Sequence, residues 1–300
     1  MKIARFNEGR LGVVVDDAHL VDITALLGID VAIWPPVAPT QLIAEFAARR
    51  PLIEQALATL PRLPRLPLAS LVLRTPVPWP NKVIAYPVNY HDHGREMQAS
   101  YRADHQGFFL KPCSSLSGAG EPIELPQVPG REVHHESELA IVIGKQCRGI
   151  RREDWREHVF GYACLLDMVV RGKEERVFRK AFDSFCPVGP WIVTADEVGD
   201  PGALDMQLWV NGQLKQQANT RDLVLDIPGM VQMAAAVMTL YPGDIIATGT
   251  PAGVGPVVGG DTIRIRIERV GEMSVRVVQG SGGATPVFEA PYVPQIIKQG

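Results

Sequence analysis

Two glutamates at positions i and i+2 open an apolar run in His134-His135-Glu136-Ser137-Glu138-Leu139-Ala140-Ile141-Val142-Ile143-Gly144. On a strand that spacing puts Glu136 and Glu138 on one face. Like charges side by side repel, so such a pair marks either a solvated strand end or a cation held between the two carboxylates. A third carboxylate, Asp167, interrupts the otherwise apolar run from Gly161 to Val170. An unpaired charge there is costly, so Asp167 needs a partner: a cation such as Arg171, or the ion already suggested by the two glutamates. Three carboxylates make an all-oxygen set suited to a hard divalent ion, Mg²⁺, Mn²⁺ or Ca²⁺, with positions left for water and a chelating substrate.

The segment Asn89-Tyr90-His91-Asp92-His93-Gly94-Arg95-Glu96 carries the next candidates. If it begins a helix, His93 and Glu96 at i and i+3 share a face, and the glutamate can orient the imidazole as a general base. Three histidines within fifteen residues, His91, His93 and His105, could equally be a solvated loop or metal ligands. Thr248-Gly249-Thr250-Pro251-Ala252-Gly253-Val254-Gly255 packs glycines around hydroxyls, either as a plain tight turn or as backbone N–H groups presented to an anion. It lacks the Lys-Ser/Thr of a nucleotide-binding loop. Lys111 and Lys180 stand among apolar residues, as surface lysines or as stabilisers of a developing oxyanion.

Positioning these groups requires strands and a few helices. Lys2–Phe6, Leu11–Val15 and Leu20–Thr24 read as a strand meander, followed by one or two short helices over 40–60 broken at Pro51. Six prolines between 61 and 80, beginning with Pro61, mark a boundary between a small N-terminal domain, 1–75, and a larger one, 80–300, that holds the chemistry. In the latter, alternation from Leu204 to Val210 runs into Asn211-Gly212, a hairpin signal, and alternation recurs at Ile263–Ile267 and beyond Gly271. Helices are expected at Arg151–Tyr162 and Ile227–Leu240. The fold class is therefore α+β and β-rich, without the regular strand–helix alternation of a Rossmann or barrel fold.

With 30 Lys+Arg against 33 Asp+Glu, the net charge of −3 gives no global basic field for nucleic acid or an anionic membrane. The N-terminal residues lack a signal-peptide pattern, and no apolar run is long enough to span a bilayer. Four scattered cysteines without a C-x-x-C pair read as reduced thiols in a cytoplasmic protein.

In order along the chain, these motifs resemble the fumarylacetoacetate hydrolase family. The matches are N-Y-x-x-H-x-x-E at Asn89–Glu96, F-x-K-P at Phe109–Pro112, H-x-E-x-E-L-A-x-V-I-G at His134–Gly144 and G-Y-x-x-x-x-D at Gly161–Asp167. They continue with K-x-F-D-x-F-x-P-x-G-P-W at Lys180–Trp191, V-N-G at Val210–Gly212, and L-x-P-G-D-x-I-x-T-G-T-P-x-G-V-G at Leu240–Gly255. The resemblance implies a mixed β-sandwich roll, a divalent metal, usually Mg²⁺, on Glu136, Glu138 and Asp167, and a homodimer. The N-terminal part resembles the accessory domain of some bacterial members, of the acylpyruvate hydrolase and oxaloacetate decarboxylase types. Where the family commonly reads N-D-V-S-A-R-D-x-Q, this chain reads Leu166-Asp167-Met168-Val169-Val170-Arg171-Gly172-Lys173-Glu174. It keeps the metal aspartate and the arginine but not the second aspartate or the glutamine, in a loop that helps line the substrate pocket.

The activity so implied is C–C bond hydrolysis of an acylpyruvate-like 2-oxo acid in aromatic or organic acid catabolism. The alternative is decarboxylation, hydration or isomerisation of a related dioic acid; a non-catalytic 2-oxo-acid binding protein is a third reading. His93, Glu96 and Lys180 are the expected catalytic groups, and Lys111, Arg171 and Thr250 the expected substrate contacts.

Overall fold

The computed structural model describes residues 1–59, 63–99 and 102–289. Its main sheet begins with the meander β1 (Lys2–Phe6), β2 (Arg10–Val14) and β3 (His19–Asp22), followed by helices α1 (Ala38–Ala44) and α2 (Phe46–Ala58). Pro51 lies inside α2 rather than ending a helix, and the break falls at Glu45. A proline there removes one intrahelical hydrogen bond, while burial of Phe46 and Ile53 on either side holds the helix together.

Strands β4 (Val83–Ala85), β5 (Phe109–Lys111), β6 (Val133–His135), β7 (Ser137–Ile143), β8 (Val159–Leu166) and β9 (Cys186–Thr194) follow, with α3 (His91–Glu96) and α4 (Arg176–Lys180) in the connections. The helix expected over Arg151–Tyr162 is a 3₁₀ run, Arg152–His158, that gives way to β8. From Val159 onward every residue is buried on one face or the other of the sheet, a demand that a strand meets and a helix does not. The expected hairpin is β10 (Asp205–Val210) and β11 (Gln213–Asn219), turned by Asn211 and Gly212 at positive φ. Helix α5 (Ile227–Val237), β12 (Ile245–Ala247), β13 (Thr262–Ile267) and β14 (Gly271–Gln279) complete the frame.

The main sheet, with Arg65–Pro67 at its edge beside β3, runs β3-β2-β1-β9-β8-β7-β12-β4-β5, and along this order every pair but β12–β4 is antiparallel. A second sheet, β11-β10-β13-β14, packs on it and ends on Ile123–Leu125. Along β7, Leu139, Ile141 and Ile143 face the core between the sheets, while Ala140 and Val142 face a second cluster. That cluster includes Leu42, Phe46 and Ile53 of the N-terminal helices, and the Phe46 and Phe160 rings meet edge to face at 4.9 Å. β1 pairs with β9 through Lys2↔Val193 and Ile3↔Ile192, so the N-terminal strands extend the same sheet. Of the expected boundary, Pro61 lies outside the described residues, as does the end of the larger expected domain beyond 289. Among the described residues no helix is long and apolar enough to cross a membrane.

Candidate active site

The three carboxylates meet because of strand register. β7 and β8 are antiparallel with Glu138 opposite Leu165, and the pairing continues past the strand end, where the Asp167 N–H donates to the Glu136 carbonyl at 2.9 Å. Glu136, Glu138 and Asp167 thus project together, each offering an oxygen within 4.8 Å of the others, and all three are buried. Each is braced from behind. Gly249 N–H donates to Glu138 Oε2 at 2.7 Å, Lys180 Nζ to Glu136 Oε2 at 2.7 Å and Asp167 Oδ2 at 2.5 Å, and Lys111 Nζ to Asp167 Oδ1 at 2.6 Å.

Two ammonium groups face the three carboxylates, with the Arg171 guanidinium 3.8 Å from Glu136 Oε1, and the positive charge is shared unevenly. Burial raises the Glu136 carboxyl, but Lys180 and Arg171 overcome it and hold the group down at about 2. Burial and the neighbouring Asp167 charge push Glu138 well above the usual carboxylate range. Burial opposes the Lys180 charge, yet Asp167 and Glu136 keep its ammonium above its ordinary value. A buried all-oxygen set in which Glu138 has no ion-pair partner among the described residues fits a hard divalent cation.

His93 is brought to the same cavity by α3, which forms as its i, i+3 spacing requires. Its Nδ1 lies 2.9 Å from Glu96 Oε2, leaving Nε2 for a reactant. Glu96 is itself fixed, because its Oε1 accepts from the Gly253 N–H at 2.9 Å. Gly253 has φ +94°, and a Cβ there would stand 2.0 Å from the Lys215 carbonyl oxygen of β11. Gly253→Ala is therefore expected to shift this loop, costing more than about 1 kcal/mol of stability and loosening Glu96. Thermal unfolding and activity measured together check it; an unchanged protein would show that the loop is not so constrained.

Thr250 and Arg171, expected as substrate contacts, line the cavity. Lys111 does not: its ammonium is fully buried and bound to Asp167 and to the Lys180 carbonyl at 2.8 Å, so it supports a carboxylate from the protein side instead of touching substrate. Sequence reasoning missed Arg176 and Arg179, which α4 brings to the same cavity as Arg171. Burial and then the Arg171 charge lower the Arg179 pKa, a sign of crowded positive charge. It also missed Gln216, a buried amide that reaches Thr250 from β11.

The chain is similar to known proteins in sequence and fold. The profile of the family described as fumarylacetoacetate (FAA) hydrolase C-terminal matches residues 82–278. A maleylpyruvate hydrolase of Aquipseudomonas alcaligenes is 43% identical over 295 residues, covering 92% of this chain and 99% of that one. A mitochondrial oxaloacetate tautomerase of Homo sapiens is 35% identical over 256 residues, 81% of this chain and 80% of its own. The crystal structure of maleylpyruvate hydrolase from Sphingobium sp. SYK-6 in complex with manganese(II) and pyruvate superposes with a TM-score of 0.86 at 66% identity, over 94% of this chain and all of that one. With the family profile covering most of the chain and a relative aligned over nearly all of it, the chain belongs to the fumarylacetoacetate hydrolase family.

Proposed function

We propose that this enzyme hydrolyses an acylpyruvate whose acyl group carries a second carboxylate, as maleylpyruvate does, giving pyruvate and a dicarboxylic acid. The observation that carries the reading is one cavity holding the carboxylate trio, the His93–Glu96 pair and three arginines. The names of the two hydrolase relatives and the manganese and pyruvate of the solved one support it. Glu136, Glu138 and Asp167 would hold Mg²⁺ or Mn²⁺, which when bound supplies Lewis-acid stabilisation of negative charge on oxygen.

The chain's own residues do the rest. Thr250 and Arg171 hold the carboxylate of the 2-oxo acid. His93 Nε2 takes a proton from water, and the water oxygen bonds to the distal carbonyl carbon. The bond from that carbon to the methylene then breaks, and its electron pair becomes the pyruvate enolate, whose charge the Lys180 ammonium offsets. The proton held by His93 passes to the methylene carbon, completing pyruvate.

In this reading Arg176 and Arg179, which line the same cavity, receive the second carboxylate, and an anion between them would relieve the crowding of positive charge. A charge-assisted hydrogen bond is worth roughly 1.5–3 kcal/mol, so Arg176→Leu should raise KM for maleylpyruvate by roughly ten- to a hundredfold. Acetylpyruvate, which lacks that carboxylate, should be affected less than about twofold. The decisive experiment assays the Mn²⁺-loaded protein on both substrates and on oxaloacetate, with product identification. Release of pyruvate and maleate bears the proposal out, whereas failure to cleave any acylpyruvate alongside turnover of oxaloacetate moves the assignment to the second reading. That reading, an oxaloacetate tautomerase or related isomerase, has the human relative's name in its favour.

A further inference from the structure

We infer that Gln216 is a positioning residue that fixes the direction of the Thr250 hydroxyl, making it a standing donor to the carboxylate of the 2-oxo acid. The inference rests on the reading that Thr250 meets that carboxylate.

A threonine hydroxyl both donates and accepts, and left alone it can turn its proton either way. Gln216 removes the choice. It stands on β11, in the second sheet, and its side chain crosses to the start of β7 and to the loop carrying Thr250. Two main-chain groups pin its amide. The Ser137 N–H, which can only donate, lies 3.0 Å from Oε1; the Pro251 carbonyl, which can only accept, lies 2.9 Å from Nε2. His135 Nδ1 stands 3.2 Å from the same Oε1. Turning the amide over would set nitrogen against N–H and oxygen against C=O, losing both hydrogen bonds inside a buried site.

The second proton on Nε2 then points at Thr250 Oγ1, 2.8 Å away. The hydroxyl is thereby used as an acceptor, and among the described residues Gln216 is its one side-chain partner. Thr250 lines the cavity beside the carboxylate trio, so its own proton is left for a ligand there. A donor oriented before the anion arrives spends nothing on turning, which is the advantage of a preorganised site. The close approach of Gly253 to the Lys215 carbonyl, next to Gln216, keeps strand and loop in this register.

The test is a double-mutant cycle read as the dissociation constant of pyruvate for the Mn²⁺-loaded protein, measured by calorimetry. Thr250→Val, which keeps the shape and loses the hydroxyl, should weaken pyruvate by about tenfold. Gln216→Met should weaken it by roughly three- to tenfold when Thr250 is present, and by less than about twofold in the Thr250→Val background. Thr250→Ser should restore both affinity and sensitivity to Gln216→Met. If Gln216→Met does not fold, Gln216→Glu replaces it: its carboxylate accepts and does not donate, so it draws the threonine proton to itself and should weaken pyruvate at least as much. Equal losses from the Gln216 change with and without the Thr250 hydroxyl would overturn the inference, because Gln216 would then act through packing. No effect of Thr250→Val alone would instead remove the underlying assignment of Thr250 to the carboxylate, and the inference with it.

Discussion

Exhaustive chelation of divalent ions is expected to abolish turnover, and Mn²⁺ or Mg²⁺ to restore it. Glu136, Glu138 and Asp167 bring three buried carboxylates within one ion's reach, and the Lys111, Lys180 and Arg171 ion pairs go to Asp167 and Glu136 and leave Glu138 without one. The raised pKa of Glu138 records the remaining strain, which a bound cation relieves. The choice of variant matters. Asp167→Ala would leave Lys111 buried against main-chain carbonyls alone, so part of any loss would come from an uncompensated charge. Asp167→Asn fills the same volume and keeps an oxygen toward Lys111, setting its NH2 toward Lys180, which Glu136 still holds. It should lower Mn²⁺ affinity by more than about a hundredfold, since even partners one step behind a metal ligand account for 10–100-fold. Calorimetric Mn²⁺ binding reads this without reference to activity. Full turnover in protein verified as metal-free would remove the metal from the mechanism.

The three carboxylates could be read in the sequence as charges that break an apolar pattern, whereas the His93–Glu96 pair, which fits a solvated loop equally well, drew its catalytic reading from the family resemblance. Charges interrupting apolar strands must be partnered, and an i, i+3 pair on a helix has one geometry. The β10–β11 hairpin was legible for a similar reason, since Asn211-Gly212 supplies two residues that accept positive φ. Lys111 shows the limit of the argument. A cation among apolar residues announces a buried partner, but not whether it approaches that partner from the cavity or from the protein. Gln216 gave no signal, because β11 reads as polar and mostly exposed, and the role of the amide depends on a loop 34 residues away. Arg176 and Arg179 were hidden in a charged stretch that resembles any solvated helix until α4 turns it toward the cavity. The start of β8 at Val159, inside the expected helix, was missed because burial on both faces of a sheet erases the alternation that distinguishes a strand.

His93→Ala should lower acylpyruvate hydrolysis by about two to four orders of magnitude, the usual contribution of a general base. Hydrolysis needs an activated water, and His93 is the cavity-lining imidazole whose far nitrogen is held by a carboxylate. Glu96→Gln should cost nearly as much, because its amide oxygen stays on the Gly253 N–H and turns the NH2 toward His93 Nδ1, which leaves Nε2 protonated and unable to take a proton from water. Decarboxylation asks for something different. Oxaloacetate in the same cavity can expel CO₂ and place the electron pair in the pyruvate enolate with no attacking water, so His93→Ala should retain most of any decarboxylase activity. Lys180→Met should impair both reactions, since both build negative charge on the oxygen its ammonium offsets. The two activities measured in these variants therefore separate base from electrostatic stabiliser. Hydrolysis undiminished in His93→Ala would show that the water is activated elsewhere, and equal loss of both reactions in that variant would assign His93 to a step they share, the protonation of the enolate carbon.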